Sequence, residues 1–264
     1  MITPSGHPPP RRRVVLLGAS NLTRGISIAV ETVELALGHP LEFLVAMGHG
    51  RSFGAESCVF GKKIPGIFSC GLWRDLDQAN KCPTSAFVTD IGNDILYGAS
   101  VDQIFGWVDG CFDRLQRAEA EVSVTRLPID SVRQMPEWKY RVMRQLLFPS
   151  SRLTLDDLVK RAIELNERVV ERAAARQIAV IPVKQAWFGF DPIHIRRRHW
   201  SAAWREFVAH WPSAVTVRQL ARGSLSRRLY LRCLAPERCR ILGFERRRRQ
   251  PSGRLSDGST IAMY

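Results

Sequence analysis

A serine near one end of the chain and an Asp-x-x-His pair near the other are residue types that together can carry out nucleophilic chemistry. Ser20 follows Gly18 and Ala19 at the end of a short, β-branched apolar run. Asp191 and His194 are joined by a proline-containing turn, which lets the carboxylate reach one imidazole nitrogen and leaves the other to face a nucleophile. A nucleophile, a base and a group that orients the base are what acyl transfer from an ester requires.

The apolar segments that must position these residues alternate between strand-like and helix-like spacing. Alternating strands and helices predict right-handed crossovers and a parallel sheet that helices cover on both faces. We therefore predict an α/β fold, a three-layer α/β/α sandwich with a parallel, flavodoxin-like sheet of about five strands. The predicted strands are residues 13–17, 41–47, 85–91, 121–127 and 177–183, and the predicted helices are 22–37, 101–118, 154–176 and a helix through Trp200, Trp204 and Val208.

Polar clusters follow the first three predicted strands, at the sheet edge where reactive groups of such folds gather. Ser20 follows the first strand, the glycine-rich stretch 48–54 follows the second, and Asn93-Asp94 comes after the third. A serine at the start of a helix is also a common N-cap, so Ser20 alone does not indicate catalysis. The Asp-x-x-His pair late in the chain makes catalysis the favoured interpretation.

Four short blocks, in this order along the chain, resemble the blocks of the SGNH (GDSL-like) hydrolase family. The first block resembles the family's Gly-Asp-Ser at Ser20, with Ala19 in place of the aspartate. The last block matches the family's Asp-x-x-His at Asp191 and His194. The four blocks span about two-thirds of the chain, residues 14–204, and the resemblance depends on their joint order because each block is short.

The two middle blocks resemble the family's motifs that stabilise the negative charge of the intermediate. The stretch 48–54 corresponds to the second block and Asn93-Asp94 to the third, although Ile91 stands where the family usually has a glycine. The resemblance implies an oxyanion hole of three donors: the backbone N–H groups of Ser20 and Gly50 and the side-chain amide of Asn93, with Gly48 and Gly54 as alternatives to Gly50.

The activity that the resemblance implies is that of a serine esterase. Ser20 would be the nucleophile, His194 the base and Asp191 the group that orients the base, and the reaction would pass through an acyl-enzyme without a metal or an organic cofactor. The substrate would be a short-acyl or acetyl ester of a small molecule or a carbohydrate. An acyltransferase that uses the same residues, and a non-catalytic protein that binds an anionic partner, are the alternatives.

Three residues close to the blocks are candidate substrate contacts: His49, Arg51 and Trp187. Each has a second interpretation from the residue type alone. His49 could position residues of the site without contacting the substrate, and Arg51 could pair with Asp90 or Asp94. Trp187 could shape an acyl pocket, with burial in the core as the other interpretation.

The chain of 264 residues, with 45% hydrophobic content, is long enough for one large domain with an appendage. We predict a flexible leader at 1–12, an SGNH-hydrolase-like domain at 13–214 and a basic C-terminal extension at 215–264, where turn signals allow one or two short β-hairpins. The irregular segment 129–148 is predicted to carry a helix that either walls the substrate pocket or packs on the sheet.

Two features bear on where the protein acts. No segment reaches the roughly 18 to 20 apolar residues of a membrane span, and no signal-peptide core is present, so we expect a cytoplasmic protein without a span. The six cysteines form no CxxC pair, which argues against a zinc knuckle or a thioredoxin-like motif and favours free thiols.

The formal net charge of +14 is concentrated in residues 215–264, which carry twelve arginines and three acidic residues, a local charge of +9. Such a segment could bind nucleic acid, anionic lipid or an acidic polysaccharide. No nucleic-acid-binding motif accompanies the arginines, so a solvated basic face is the favoured interpretation. The sequence leaves the identity of the ester and the oligomeric state open.

Overall fold

The computed structural model describes residues 10–59, 61–148 and 151–264. Within these ranges the chain forms eleven strands and nine α-helices. The strands are β1 (Arg12–Leu17), β2 (Leu41–Ala46), β3 (Ser57–Val59), β4 (Lys62–Ile64), β5 (Thr84–Val88), β6 (Glu121–Thr125), β7 (Ala179–Ile181), β8 (Arg238–Ile241), β9 (Phe244–Arg247), β10 (Gly253–Arg254) and β11 (Thr260–Met263). The helices are α1 (Ser20–Leu37), α2 (Leu72–Gln78), α3 (Asn93–Leu96), α4 (Val101–Arg117), α5 (Ile129–Arg133), α6 (Glu137–Leu147), α7 (Leu155–Ala175), α8 (Trp200–Val208) and α9 (Leu225–Cys233).

The central sheet has the order β10-β11-β2-β1-β5-β6-β7. All five predicted strands are present as β1, β2, β5, β6 and β7, and each pairs in parallel with its neighbour. The predicted α/β/α fold with a flavodoxin-like sheet is therefore confirmed. The sheet has seven strands instead of five because β11 pairs in parallel with β2, and β10 pairs antiparallel with β11. These strands have two and four residues, too short to be identified from periodicity.

Alternate residues of β1 point into two separate cores, one on each face of the sheet. Val14 and Leu16 belong to the core under α1 and α8, whereas Val15 and Leu17 belong to the core under α4 and α7. This alternation is the two-residue period of a strand that is buried on both faces. The first turn of α7 is capped by Thr154, whose side chain accepts a hydrogen bond from the backbone N–H of Asp157 at 3.1 Å.

A second, antiparallel sheet of four short strands lies outside the central one, with the order β3-β4-β8-β9. It joins the segment after β2 to the arginine-rich segment, and the sequence analysis did not predict it. Residues 215–264 contain two antiparallel strand pairs, β8–β9 and β10–β11. Arg246, Arg247, Arg248 and Arg249 are all exposed.

The irregular segment 129–148 forms two helices, α5 and α6, between β6 and α7. Helix α5 contacts α7, so the segment covers the carboxyl-end edge of β6. In the described parts of the chain, no helix is both long enough and apolar enough to cross a lipid bilayer.

Candidate active site

The first turn of α1 is held by a carboxylate from the loop after β5. Asp90, in the left-handed region at φ 60°, accepts hydrogen bonds from the backbone N–H groups of Ala19 and Asn21 at 2.9 Å and of Leu22 at 3.3 Å. The N–H of Ser20 lies between these donors and has no acceptor among the residues that the structure describes. One backbone donor beside the Ser20 hydroxyl is therefore available to a ligand.

The side chains of Ser20, His194 and Asp191 form one hydrogen-bonded row. The Ser20 Oγ lies 2.7 Å from the His194 Nε2, and the His194 Nδ1 lies 2.5 Å from the Asp191 Oδ2. The alternative interpretation of Ser20 as a helix N-cap is wrong, because Ser20 is the first residue of α1 and its hydroxyl is directed to the imidazole. If Nδ1 carries the proton, it donates to the carboxylate and Nε2 can accept the hydroxyl proton.

Asn21 connects the start of α1 to the loop that carries His194. Its amide nitrogen donates to the Asp90 Oδ1 at 2.7 Å and to the Ile193 carbonyl at 2.9 Å. Its side-chain oxygen accepts from the Ile195 N–H at 2.8 Å. Because Asn21 holds the residues on both sides of His194, it fixes the imidazole relative to Ser20. Sequence reasoning missed this role, for which the only signal was the position directly after the serine.

The carboxylate of Asp191 is kept ionised by its neighbours. Partial burial alone would raise the pKa of Asp191, but the hydrogen bond and the charge of His194 outweigh it and bring the pKa below its usual value. Arg24 adds to this effect, with its Nη1 3.7 Å from the Asp191 Oδ2. A carboxylate that stays charged stabilises an imidazolium beside it.

Asn93 begins α3 and has a buried amide nitrogen without a hydrogen-bond partner in the described part of the chain. An unsatisfied buried donor of this kind typically costs about 1–3 kcal/mol, so such groups call for an explanation. Asn93 and Ser20 line the same cavity. The neighbouring Asp94 holds the stretch 48–54, since it accepts from the Ser52 hydroxyl and, at 2.9 Å, from the Phe53 N–H.

Of the three glycines considered as donors, Gly54 is excluded by its contacts. Its N–H donates to the Ser52 Oγ at 3.0 Å, and its Cα packs against Trp107. Gly50 has φ 59°, and its carbonyl accepts from the Tyr97 hydroxyl at 2.6 Å. Because Gly50 does not line the cavity that Ser20 and Asn93 share, its role as a donor stays a prediction.

Two of the candidate substrate contacts are wrong. Arg51 is completely buried and donates to the backbone oxygens of Met47 at 3.2 Å, Pro65 at 2.9 Å and Tyr264. It pairs with neither suggested aspartate, and its role is to join three backbone segments. Trp187 is buried and packs edge-on against Phe207, with 5.5 Å between ring centroids.

The third candidate, His49, lies beside α9 and outside the shared cavity. Its Nε2 accepts a hydrogen bond from the Arg232 guanidinium at 3.4 Å. Burial and the positive charges of Arg232 and Arg24 hold the pKa of His49 below its usual value. A substrate contact by this neutral imidazole stays a prediction.

Ser20 and Asn93 open onto a cavity of about 120 Å³. The segment 129–148 forms part of its wall, as one interpretation of that segment predicted. Phe188, next to the rejected Trp187, also lines it. The apolar residues of the wall are Ile91, Ile95, Leu96, Leu127, Pro128, Ile129, Val132, Met135, Met143, Phe148, Leu158, Ala162, Val183, Phe188, Pro192, Ile193, Ile195 and Phe207, together with the ring of Tyr140.

No protein-family model matches the chain, and no curated protein sequence matches it. Solved structures do match its fold. A candidate arylesterase from Agrobacterium tumefaciens has 11% sequence identity and a TM-score of 0.50, over 75% of this chain and 97% of that chain.

Two further solved structures are similar at lower scores. The aryl esterase of M. smegmatis has 12% identity and a TM-score of 0.49, over 75% of this chain and 94% of that chain. A member of the lipolytic G-D-S-L family from Veillonella parvula has 16% identity and a TM-score of 0.45, over 75% and 95%. At such identities the likeness concerns the fold, and of these three structures the one from A. tumefaciens reaches a TM-score of 0.5. The fold that the SGNH resemblance implies is thus confirmed.

Proposed function

We propose that the protein is a serine ester hydrolase of the SGNH type, in which Ser20 is the nucleophile. The observation that carries this proposal is the row Ser20–His194–Asp191, with atom separations of 2.7 and 2.5 Å, in which Ser20 is 174 positions from His194 in the chain. A hydroxyl, an imidazole and a carboxylate in hydrogen-bonding contact are the arrangement that activates a serine.

In the first half of the reaction, the Ser20 Oγ attacks the ester carbonyl carbon while its proton moves to the His194 Nε2. The tetrahedral intermediate then collapses, the bond to the alcohol oxygen breaks, and His194 returns the proton to the departing alcohol. Asp191 accepts the hydrogen bond from Nδ1 throughout and stabilises the imidazolium. The products of this half are the free alcohol and an ester of Ser20.

In the second half, water attacks the acyl-enzyme and gives its proton to His194. Collapse of the second intermediate transfers that proton to the Ser20 oxygen and releases the carboxylic acid. An alcohol in place of this water would make the protein an acyltransferase with the same residues. The cavity mouth, rather than the catalytic row, would select between the two acceptors.

The negative charge on the carbonyl oxygen requires fixed donors. The N–H of Ser20 and the amide of Asn93 have no acceptor in the part of the chain that the structure describes, and both residues line one cavity, which supports both as donors to this oxygen. Gly50 is the proposed third donor. Donors that are already in place cost no reorganisation during the reaction, and removing one typically costs about 2.7–4 kcal/mol of barrier.

The proposed substrates are short-acyl esters of small molecules or carbohydrates. A cavity of about 120 Å³ limits what can bind beside Ser20, because an engineered cavity of about 150 Å³ in another protein holds one benzene molecule. The alcohol part lies on the other, more open side and is less restricted.

The test is turnover of p-nitrophenyl butyrate by the wild type, Ser20→Ala and the control Ser226→Ala. Ser226 is an exposed serine in α9, so its loss should leave turnover unchanged. Ser20→Ala should lower kcat by a factor on the order of 10⁶, to the level left by binding alone. Equal turnover by Ser20→Ala and the wild type would refute the proposal.

A further inference from the structure

The cavity beside Ser20 is polar at one end and apolar at the other. Its far end is closed by side chains from α5, α6 and α7, among them Val132, Met143 and Ala162. The ring of Tyr140 also lines this end, but its hydroxyl donates to the Leu153 carbonyl at 2.7 Å and is therefore occupied. Apart from the Arg144 guanidinium, the described residues offer no free hydrogen-bond partner at this end, so another polar group that entered it would lose its water without compensation.

Polar groups in the middle of the cavity are also occupied. The hydroxyls of Thr89 and Thr125 bond to each other at 2.9 Å. The Asp90 carboxylate is used by the first turn of α1, as described above. Among the described residues, the donors left for a ligand next to the reacting carbonyl are thus the N–H of Ser20 and the amide of Asn93.

The position of His194 decides which part of the ester enters the cavity. His194 must protonate the departing alcohol, so the alcohol has to lie on the imidazole side of Ser20. Among the described residues, the cavity walls include Ser20, Asn93 and the apolar neighbours Ile193 and Ile195, but not the imidazole of His194 or the carboxylate of Asp191. The cavity therefore extends away from the leaving group and faces the acyl side of the carbonyl carbon.

We propose that the cavity between the sheet edge and helices α5, α6 and α7 is an acyl-binding subsite for an unbranched or aromatic apolar acyl group larger than acetyl. This inference rests on the proposed function and narrows its substrate class. An acetyl group would leave most of the roughly 120 Å³ unfilled, whereas a group of about benzoyl or hexanoyl size would fill it. Chains much longer than this would meet Leu158 and Ala162 of α7.

Of the two cations that line this cavity among the described residues, Arg126 and Arg144, only Arg144 lies on α6. Its Nη1 donates to the Leu153 carbonyl at 3.2 Å, while its Nε is buried without a partner in the described residues. An acyl chain that ends in a carboxylate could use this group, which would make the subsite one for half-esters of dicarboxylic acids. The experiment below includes such a substrate, and a preference for it would overturn the proposal of a purely apolar acyl group.

The test measures kcat/KM for p-nitrophenyl acetate, butyrate, hexanoate, octanoate and decanoate, each below its aggregation limit. Each added methylene that enters the cavity should raise kcat/KM by about fourfold, the change that about 0.8 kcal/mol per buried methylene corresponds to. The increase should stop near hexanoate or octanoate and reverse at decanoate. A matched series of ethyl, butyl and hexyl acetates, which varies the alcohol, should stay flat.

Two variants change the cavity volume in opposite directions. Ala162→Leu should lower the ratio of hexanoate to acetate turnover by about tenfold or more, because the added atoms occupy the acyl space. Met143→Ala should move the preferred chain length upward, an effect that misfolding cannot produce. The control is Ala174→Leu on the exposed side of the same helix, which should leave the ratio unchanged.

The outcomes separate this inference from the proposed function. If a phosphonate labels Ser20 but kcat/KM is highest for acetate, or rises along the alcohol series instead, the acyl subsite is refuted and the hydrolase stands. If the half-ester of a dicarboxylic acid is preferred over hexanoate, the apolar specificity is refuted. If no ester is turned over and Ser20 is not labelled, the proposed function itself has failed.

Discussion

The two ends of the cavity beside Ser20 are built from different kinds of chain segment. The polar rim, which we define as Ser20 and Asn93 in the cavity wall together with His194 and Asp191 beside Ser20, lies at the carboxyl-end edge of the central sheet. The apolar end comes from the inserted helices α5 and α6 and from α7. The polar rim holds the groups that transfer protons and stabilise charge. The apolar end can only discriminate between acyl groups by their size and polarity.

Because of this difference, we expect the polar rim to set the rate of the reaction and the apolar end to set the preference for one ester over another. A substitution in the polar rim should lower the rate for every ester by a similar factor, because every ester passes through the same charged intermediate. A substitution in the apolar end should change the ratio between two esters. Each prediction below can be checked against this division by using both acetate and hexanoate.

The largest effect in the rim, apart from loss of the nucleophile, is expected at Asp191. Asp191→Asn keeps the shape of the side chain but favours the wrong imidazole tautomer, so kcat should fall by about 10⁴-fold. The fall should be the same for acetate and hexanoate. Steady-state kinetics with both esters measures it, and a fall below tenfold would mean that the carboxylate does not orient His194.

Asn93→Ala should lower kcat by about 100 to 1000-fold for both esters, since it removes one donor to the oxyanion. Folding should not suffer, because the lost amide nitrogen has no partner in the described structure. The exposed Asn80 offers a control: Asn80→Ala should retain full turnover. A variant at Asn93 with normal kcat and a raised KM would place the amide in ground-state binding instead.

Asn21→Ala should act through geometry, because the Asn21 side chain bonds to the backbone on both sides of His194. Misplacing the imidazole by about 1 Å can cost up to roughly 100-fold in rate. We expect kcat to fall by 10 to 100-fold while KM stays within about twofold. Labelling of Ser20 by a phosphonate should slow by the same factor, and an unchanged labelling rate would show that Asn21 only stabilises the fold.

The smallest expected effect concerns stability and pH. The pKa of Asp191 in the folded protein lies below its usual value, so its charged form stabilises the fold above the unfolded pKa of about 3.9. That contribution is lost as the pH falls through the folded pKa. The difference in melting temperature between wild type and Asp191→Asn should therefore shrink as the pH is lowered from 6 toward 3. It should be small at any pH, because the side chain is 40% exposed and screened by solvent.

Much of the fold could be predicted from the sequence because its central strands are continuous apolar runs followed by glycine or polar residues. The parallel pairing of β1, β2, β5, β6 and β7 follows from the alternation of strands and helices. Strands β3, β4, β8 and β9 could not be predicted in this way, because they are short and largely polar and are stabilised by pairing between distant segments.

The residues of the polar rim could be predicted from the sequence more readily than the residues that hold them in place. Ser20, Asp191 and His194 are singled out by residue type and spacing, and the structure brings them together. Arg51 was misjudged because a buried arginine bound to backbone oxygens has no sequence signature. Asp90 and Asn21 were missed for a similar reason, since their partners are backbone groups that only the folded chain brings near.

The most direct test of the account is covalent labelling of the wild type with a p-nitrophenyl alkylphosphonate, followed by mass analysis of the peptides. We predict one adduct per chain, located on Ser20, with labelling that is abolished in His194→Ala and competitively slowed by hexanoate esters. An adduct on another residue, or no adduct in protein that is folded, would contradict the assignment of Ser20 as an activated nucleophile.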